Sequence, residues 1–227
     1  MILLILGRGK TGALVAEVAR QRGHEVRVLG SVENLQAAAL TAESLRNVAV
    51  VIDFTTPQAV LQNIAACVRA RKNLVVGTTG WYDHLPQVRD SVAKSGIGLL
   101  YASNFSVGVN LFFDIARTAA AALHHGYSGE IMERHHAQKK DAPSGTAVVI
   151  QKILRDAGGQ ELEIVSLREG ETVGLHEVVL DSAHDTIRLA HDAKSRRGFA
   201  EGAVRAAEWL AGRSGFFDFR DVWRELR

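Results

Sequence analysis

The chain reads as an α/β protein, a doubly wound parallel sheet joined to a smaller α+β region with a mixed sheet, and three observations predict this. Short apolar or β-branched runs alternate with helical stretches from Ile2 to Tyr101. A glycine-rich turn, Gly7 to Gly12, stands between the first such run and the first helical stretch. Beyond Ser106 the texture changes to one long alanine-rich helical stretch followed by runs with two-residue alternation.

Taken in order, the expected strands of the first half are Ile2 to Leu6, Glu25 to Leu29, Val48 to Phe54, Asn73 to Val76 and Ile97 to Tyr101. Their alternation with helical stretches is the sequence form of a parallel sheet covered by helices. Leu14, Val15, Val18 and Ala19 form one apolar face of a first helix that stops near Gly23. Thr56-Pro57 reads as an N-cap followed by a first-turn proline. In the second half, Val107 to His124 forms a long helix, Glu130 to His135 a strand, and Ser144 to about Asp156 another helix. Glu161 to Leu167, His176 to Leu180 and Thr186 to His191 alternate as strands, and helices near Phe199 to Ala211 and Phe219 to Leu226 complete the pattern by packing back on the first region. The division is therefore 1–106, joined by helices from 199–227, as one domain and 107–198 as a second.

Composition narrows the classes of function. With 227 residues, 47% of them hydrophobic, the chain can bury a core. Lys plus Arg number 27 against 25 for Asp plus Glu, a net charge of +2, and these charges are interspersed, so nothing asks for nucleic acid. The opening apolar run lacks a basic leader and cleavage site, and no apolar run reaches the roughly 18 to 20 residues that span a bilayer. Cys67 is the single cysteine, which excludes an intramolecular disulfide and a cysteine cluster for zinc. A cytoplasmic setting, with no membrane partner and no metal, is expected.

Gly7-Arg8-Gly9-Lys10-Thr11-Gly12 fits G-x-G-x-x-G at the junction of a strand and a helix, the place where a Rossmann-type fold needs it. Glycines there permit a tight turn and close backbone approach, and the helix N-terminus offers N–H groups to a pyrophosphate. A triphosphatase-type phosphate loop built on Gly9-Lys10-Thr11 would need glycine where Leu4 stands, so that reading fails. No acid closes the second strand, which reads Val28-Leu29-Gly30-Ser31 with Glu33 nearest, while Lys10, Arg8 or Arg27 could meet a 2′-phosphate. NADH and NADPH both remain open as the cofactor.

Glu133-Arg134-His135-His136-Ala137-Gln138-Lys139-Lys140-Asp141-Ala142-Pro143-Ser144-Gly145-Thr146-Ala147 brings two imidazoles and ammonium groups to a helix start. Cationic donors beside a helix N-terminus suit a small dicarboxylate. The string closely resembles the signature of the 4-hydroxy-tetrahydrodipicolinate reductase family, E-x-H-H-x-x-K-x-D-A-P-S-G-T-A, at every specified position. Asp53-Phe54-Thr55 with Pro57, Gly77-Thr78-Thr79-Gly80, Ala102-Ser103-Asn104-Phe105-Ser106, Val173-Gly174-x-His176 and the stretch from His191 to Ala203 support the resemblance in the same order.

The resemblance implies reduction of a cyclic imine-type dicarboxylate, with hydride delivered to its C4 from NADPH or NADH, in lysine and diaminopimelate synthesis. It places the general acid/base on His135 and a charge-stabilising proton donor on Lys139. Substrate contacts fall to His136, Lys139, Ser144, Gly145 and Thr146. Cofactor contacts fall to Gly7, Arg8, Gly9, Lys10, Thr11 and Gly12, to Gly77, Thr78 and Thr79, and to Ala102, Ser103, Asn104 and Phe105. It also implies a homotetramer formed through the sheet of the second domain. Asp141 is expected to fix the loop or its lysines, or to cap the helix, and Arg196 to anchor a hinge or the oligomer. The chain is shorter than many members of the family it resembles, mainly between the second and third strands. Glu177 follows His176 where the family often has threonine. An amino-acid dehydrogenase or a dinucleotide-holding sensor would share the two-domain plan without needing the double histidine joined to D-A-P-S-G-T.

Overall fold

A computed structural model describes residues 1–226. The chain forms two compact units, one from Met1–Ser106 together with the chain from Arg197 onward, the other from Val107–Arg196.

The first unit opens with strand β1 (Ile2–Leu6), helix α1 (Lys10–Gln21) and strand β2 (Glu25–Leu29). Leu3, Ile5 and Leu6 are fully buried, because β1 lies inside the sheet between two partners and beneath helices. α1 buries Val15, Ala16, Val18 and Ala19 along one face, and the chain leaves it through Gly23 at φ +81°, a left-handed conformation that favours glycine. Strand β3 (Val50–Asp53), helix α2 (Pro57–Arg69), strand β4 (Asn73–Val76), helix α3 (Leu85–Ser95) and strand β5 (Gly98–Tyr101) follow. Thr56 is the extended N-cap of α2 ahead of Pro57, as expected, although its hydroxyl makes no capping bond. The connection from β2 to β3 holds no α-helix and only a short 3₁₀ turn at Leu35–Ala37. Ala37, Leu40, Leu45 and Val48 bury themselves there and cover the sheet in place of a crossover helix.

The second unit comprises helix α4 (Val107–Ala119), strand β6 (Ser128–His135), helix α5 (Gly145–Gly158) and strands β7 (Glu163–Arg168), β8 (Leu175–Asp181) and β9 (Thr186–Asp192). The long helix expected to reach His124 tightens into 3₁₀ turns over Ala120–His125 and ends at Gly126 in a left-handed conformation. The strands form one sheet in the order β7-β6-β8-β9, parallel between β6 and β7 and antiparallel elsewhere, so it is mixed. Val109, Phe112, Phe113, Ile131, Ile150, Leu154, Val178 and Leu180 make its core under α4 and α5.

The chain returns to the first unit through helix α6 (Arg197–Leu210), strand β10 (Gly215–Asp218) and the short helix α7 (Phe219–Val222). β10 pairs in parallel with β5 and completes a six-stranded sheet ordered β10-β5-β4-β3-β1-β2. This strand was absent from the sequence expectation, and the helix expected over Phe219 to Leu226 is correspondingly only Phe219–Val222 with a 3₁₀ turn after it. Among the described residues no helix is long and apolar enough to cross a membrane.

Candidate functional site

In the first unit the glycine loop has the stereochemistry the motif demands. Gly7 has φ +105°, and a Cβ on it would lie 2.2 Å from the carbonyl oxygen of Phe54. At Gly12 a Cβ would lie 2.2 Å from the carbonyl oxygen of Gly7, so this glycine lets α1 approach β1. Gly9 caps α1 without a side-chain bond, and a Cβ there would meet nothing within 4 Å, leaving the helix N-terminus open. A cleft of about 600 Å³ runs past Gly9, Gly30, Val32, Leu35, Phe54 and Gln62. A second cleft, of about 270 Å³, is lined by Lys10, Thr11, Pro57, Gly77, Thr78 and Thr79 among others. Open donors at a helix end, a glycine that leaves room for phosphate and two apolar side chains exposed on the lip, Val32 and Leu35, fit a dinucleotide.

Beneath these clefts lies the buried carboxylate of Asp53. It accepts hydrogen bonds from Thr55 N (2.9 Å), Thr55 Oγ1 (2.7 Å), Thr78 Oγ1 (2.7 Å) and Asn63 Nδ2 (2.8 Å). The hydroxyl of Thr78, expected to meet the cofactor, is thus committed to the loop itself. Ala102, Ser103, Asn104 and Phe105 lie outside both cleft linings, and Phe105 is core, packed against Phe54 and Phe219. Glu33, the acid nearest the end of β2, folds its carboxylate back to Gly30 N (3.0 Å) and pairs with Arg8 (2.6 Å) on the wall of the larger cleft.

In the second unit, two-residue alternation along β6 puts Ile131, Glu133 and His135 on the buried face. Register then aligns Glu133 of β6 with His176 of β8. Nδ1 of His135 is hydrogen-bonded to Oε2 of Glu133, and the rings of His135 and His176 meet edge to face at 5.2 Å. The other Glu133 oxygen accepts from Arg168 Nη2 (2.6 Å) and from Ser144 N (3.2 Å). Burial alone would raise the Glu133 pKa, but hydrogen bonds from Arg168, Ser166 and His135 overcome it and hold the carboxyl at about 2. An ionised carboxylate only accepts, so Nδ1 of His135 carries the proton and Nε2 is the unprotonated nitrogen of the neutral ring. Burial lowers the His135 pKa below its ordinary value, against the pull of Glu133 and with the help of Lys139 and Arg168. His176 is held down at about 4 by burial and by His135.

Ser144 is the N-cap of α5; its hydroxyl accepts from Ala147 N (3.2 Å) and bonds His176 Nε2 (2.9 Å). It is buried and already partnered, whereas Gly145 is exposed and Thr146 partly so at the start of α5. Lys139 is half-buried and gives its ammonium to both Asp141 oxygens, at 2.7 and 2.8 Å. Asp141 therefore fixes a lysine and does not cap the helix. Nε2 of His136 meets Arg196 Nη2 at 3.3 Å, so Arg196, assigned in the sequence to a hinge or oligomer, belongs to this cluster. Sequence reasoning gave no role to Arg168 or Gly174. A Cβ on Gly174 would lie 3.0 Å from His135 Nε2. Atoms of Glu133, His135 and His176 lie within 4.8 Å of one another, but both Glu133 oxygens are engaged by protein donors, and the group is a hydrogen-bonded cluster, not a fit for a metal.

The parallel sheet, the glycine loop and the open end of α1 define the class, a nicotinamide-dependent oxidoreductase with a dehydrogenase-type nucleotide-binding unit. Models of dihydrodipicolinate reductase match the chain at both ends, the N-terminal model over residues 1–105 and the C-terminal model over residues 108–223. A 4-hydroxy-tetrahydrodipicolinate reductase of Christiangramia forsetii is 36% identical over 242 aligned residues, covering 100% of this chain and 99% of the relative. That of Laribacter hongkongensis is 42% identical over 192 residues, 75% of this chain and 71% of its own. The chain belongs to the dihydrodipicolinate reductase family. A dipicolinate-bound dihydrodipicolinate reductase from Paenisporosarcina sp. TG-14 shares the fold, with TM-score 0.81, 23% identity and coverage of 98% and 99% of the two chains.

Proposed function

We propose that this chain reduces 4-hydroxy-tetrahydrodipicolinate to tetrahydrodipicolinate, the 4-hydroxyl leaving as water while one hydride from NADPH or NADH and one proton are added, and that its two units divide the work. The observation that carries the residue assignment is the convergence of His135, Lys139 and the start of α5, where Gly145 is exposed, at the end of β6. The first unit holds the dinucleotide on Gly7, Arg8, Gly9, Lys10, Thr11 and Gly12 and on the loop Gly77 to Thr79. Either donor is accommodated: Glu33 suits a ribose hydroxyl, and Arg8 beside it suits a 2′-phosphate. When bound, the reduced nicotinamide supplies hydride.

Within the second unit, His136, Lys139 and the backbone at Gly145 and Thr146 receive the two carboxylates, and Ser144 holds the end of α5 that presents them. Charge builds on the reduced substrate, and the Lys139 ammonium stabilises it. His135, neutral at rest because burial lowers its pKa, gains proton affinity once a dianion is bound, and its Nε2 carries the proton to the product. Ala102, Ser103, Asn104 and Phe105 meet the cofactor at the carboxyl end of β5, with Phe105 anchoring the segment in the core. The chain works in the cytoplasm as a homotetramer joined through the mixed sheet. The units close about the crossings at 106–108 and 196–199, a reading supported by the unit boundaries at those positions.

The test is to supply the condensation product of pyruvate and aspartate semialdehyde with each reduced dinucleotide and follow absorbance. Turnover with at least one is expected, and none with either refutes the reading. His135→Ala and Lys139→Ala should each lose most of kcat while retaining dinucleotide binding; normal turnover in both removes the assignment.

A further inference from the structure

We infer that Glu133 is a positioning residue that ties the imidazole of His135 to the anion-receiving start of α5, with Arg168 as its counter-ion. The inference rests on the proposed proton-transfer role of His135. Glu133 is completely buried on a strand face that its neighbour Ile131 marks as core. A carboxylate placed there simply to pin β6 to β7 would need only Arg168. Its oxygens are instead divided. Oε2 goes to Nδ1 of His135, while Oε1 takes both Arg168 (2.6 Å) and the Ser144 amide (3.2 Å). One carboxylate thus fixes the ring that moves a proton and the first residue of the helix end that meets substrate charge.

The consequence is a defined tautomer. With Nδ1–H given to Glu133, Nε2 is directed to the side where Gly174 has no side chain, since a Cβ there would stand 3.0 Å from that nitrogen. Arg168 strengthens the arrangement by also donating to the carbonyl oxygen of Asp141 (2.6 Å), which holds the loop between His135 and α5. The charged or titratable groups around His135 are Glu133 on its own strand, Arg168 at the end of β7, His176 on β8 and Lys139 in the following loop. Glu133 alone among them favours the imidazolium; Arg168 and Lys139 oppose it.

These opposed signs make the inference testable. In Glu133→Gln, ¹⁵N spectra of the substrate-free protein should show His135 leaving the Nδ1–H tautomer for a mixture. kcat should fall roughly 10²- to 10⁴-fold, the scale seen when a tautomer-fixing carboxylate is lost elsewhere. The limb of the kcat/KM pH profile that belongs to His135 should move to lower pH. Glu133→Asp, which keeps the charge, should recover part of kcat with that limb near its original place. Arg168→Met should move the limb the other way, to higher pH. A tautomer and limb unmoved in Glu133→Gln would overturn the inference. Should that variant not fold, a limb unmoved in Arg168→Met would overturn it equally. Because the tautomer is read without turnover, it is independent of whether His135 is the proton carrier; normal turnover of His135→Ala would sink that reading alone.

Discussion

Asp141→Asn should make this enzyme bind its dicarboxylate more tightly. In the ligand-free chain both Asp141 oxygens hold the Lys139 ammonium, at 2.7 and 2.8 Å, so Asp141 sits where a substrate carboxylate is proposed to bind. Substrate must displace it. The Asp141 side chain is 60% exposed, which puts the pair in the class of solvated ion pairs, stabilising by roughly 0.2 to 1 kcal/mol. The symmetric two-oxygen geometry favours the upper end of that range. Removing the competing charge should then lower KM for the dicarboxylate by roughly two- to fivefold, since 1.4 kcal/mol is tenfold. The contact from the Asp141 carbonyl oxygen to Arg168 survives the substitution, so the loop keeps its anchor. The assay is initial rate against dicarboxylate concentration at saturating dinucleotide, repeated in about 1 M salt, where a Debye length near 3 Å screens the pair and should shrink the gap between the two proteins. An unchanged or higher KM in Asp141→Asn, or a gap that widens with salt, would refute the reasoning.

Three further outcomes follow from the same geometry. His176 is lowered from 6.5 to about 4, so between those values the unfolded chain binds a proton that the folded chain refuses; stability should fall as pH drops through this window, by about 3 kcal/mol at its foot at 1.36 kcal/mol per unit, and an NMR titration of His176 near 6.5 would contradict it. Gly9→Ala should fold normally and raise KM for the dinucleotide, because its Cβ meets no protein atom within 4 Å, while Gly12→Ala should lower the melting temperature, costing about 1 to 3 kcal/mol, since its Cβ lies 2.2 Å from the Gly7 carbonyl oxygen; an unchanged KM would refute the first expectation and a parental melting temperature in Gly12→Ala the second. Arg8→Ala should weaken NADPH more than NADH, and Glu33→Ala NADH more than NADPH, each by roughly fivefold for about 1 kcal/mol, and steady-state KM ratios that move together would show that the pair does not sort the two donors.

The parts of the fold legible in the sequence are those whose signal is local. β1, β2 and β4 occupy the expected residues because β1 and β4 are bounded apolar runs and β2 alternates charged with β-branched residues, each beside a turn. β10 was hidden because Gly215–Asp218 is four residues long, leads straight into α7, and is a strand only because β5 offers it an edge. Residues 30–49 carry apolar side chains with no period, and tertiary burial of Leu40 and Leu45, not helix propensity, decides their path. The candidate site follows the same rule. His135, His136 and Lys139 stand together in one string, whereas Arg168, His176 and Arg196 come from three other places and reach the cluster only through strand register and the turn after β9. Glu133 was readable in principle, since an acid between Ile131 and His135 on a core-facing alternation must have a partner. The commitment of Thr78 to Asp53 was not, because the two are joined across β3 and β4.

The split origin of the first unit also sets an order of events during synthesis. β10 pairs with β5, and α6 lies on α1 and on strands β3, β4 and β5, yet both elements are translated after the whole of Val107–Arg196. That middle stretch draws its core entirely from its own residues. The first 106 residues must meanwhile wait with one sheet edge unpaired and the face later covered by Ala203, Ala207 and Leu210 still wet. On the ribosome, then, the nucleotide-binding half is begun first and finished last.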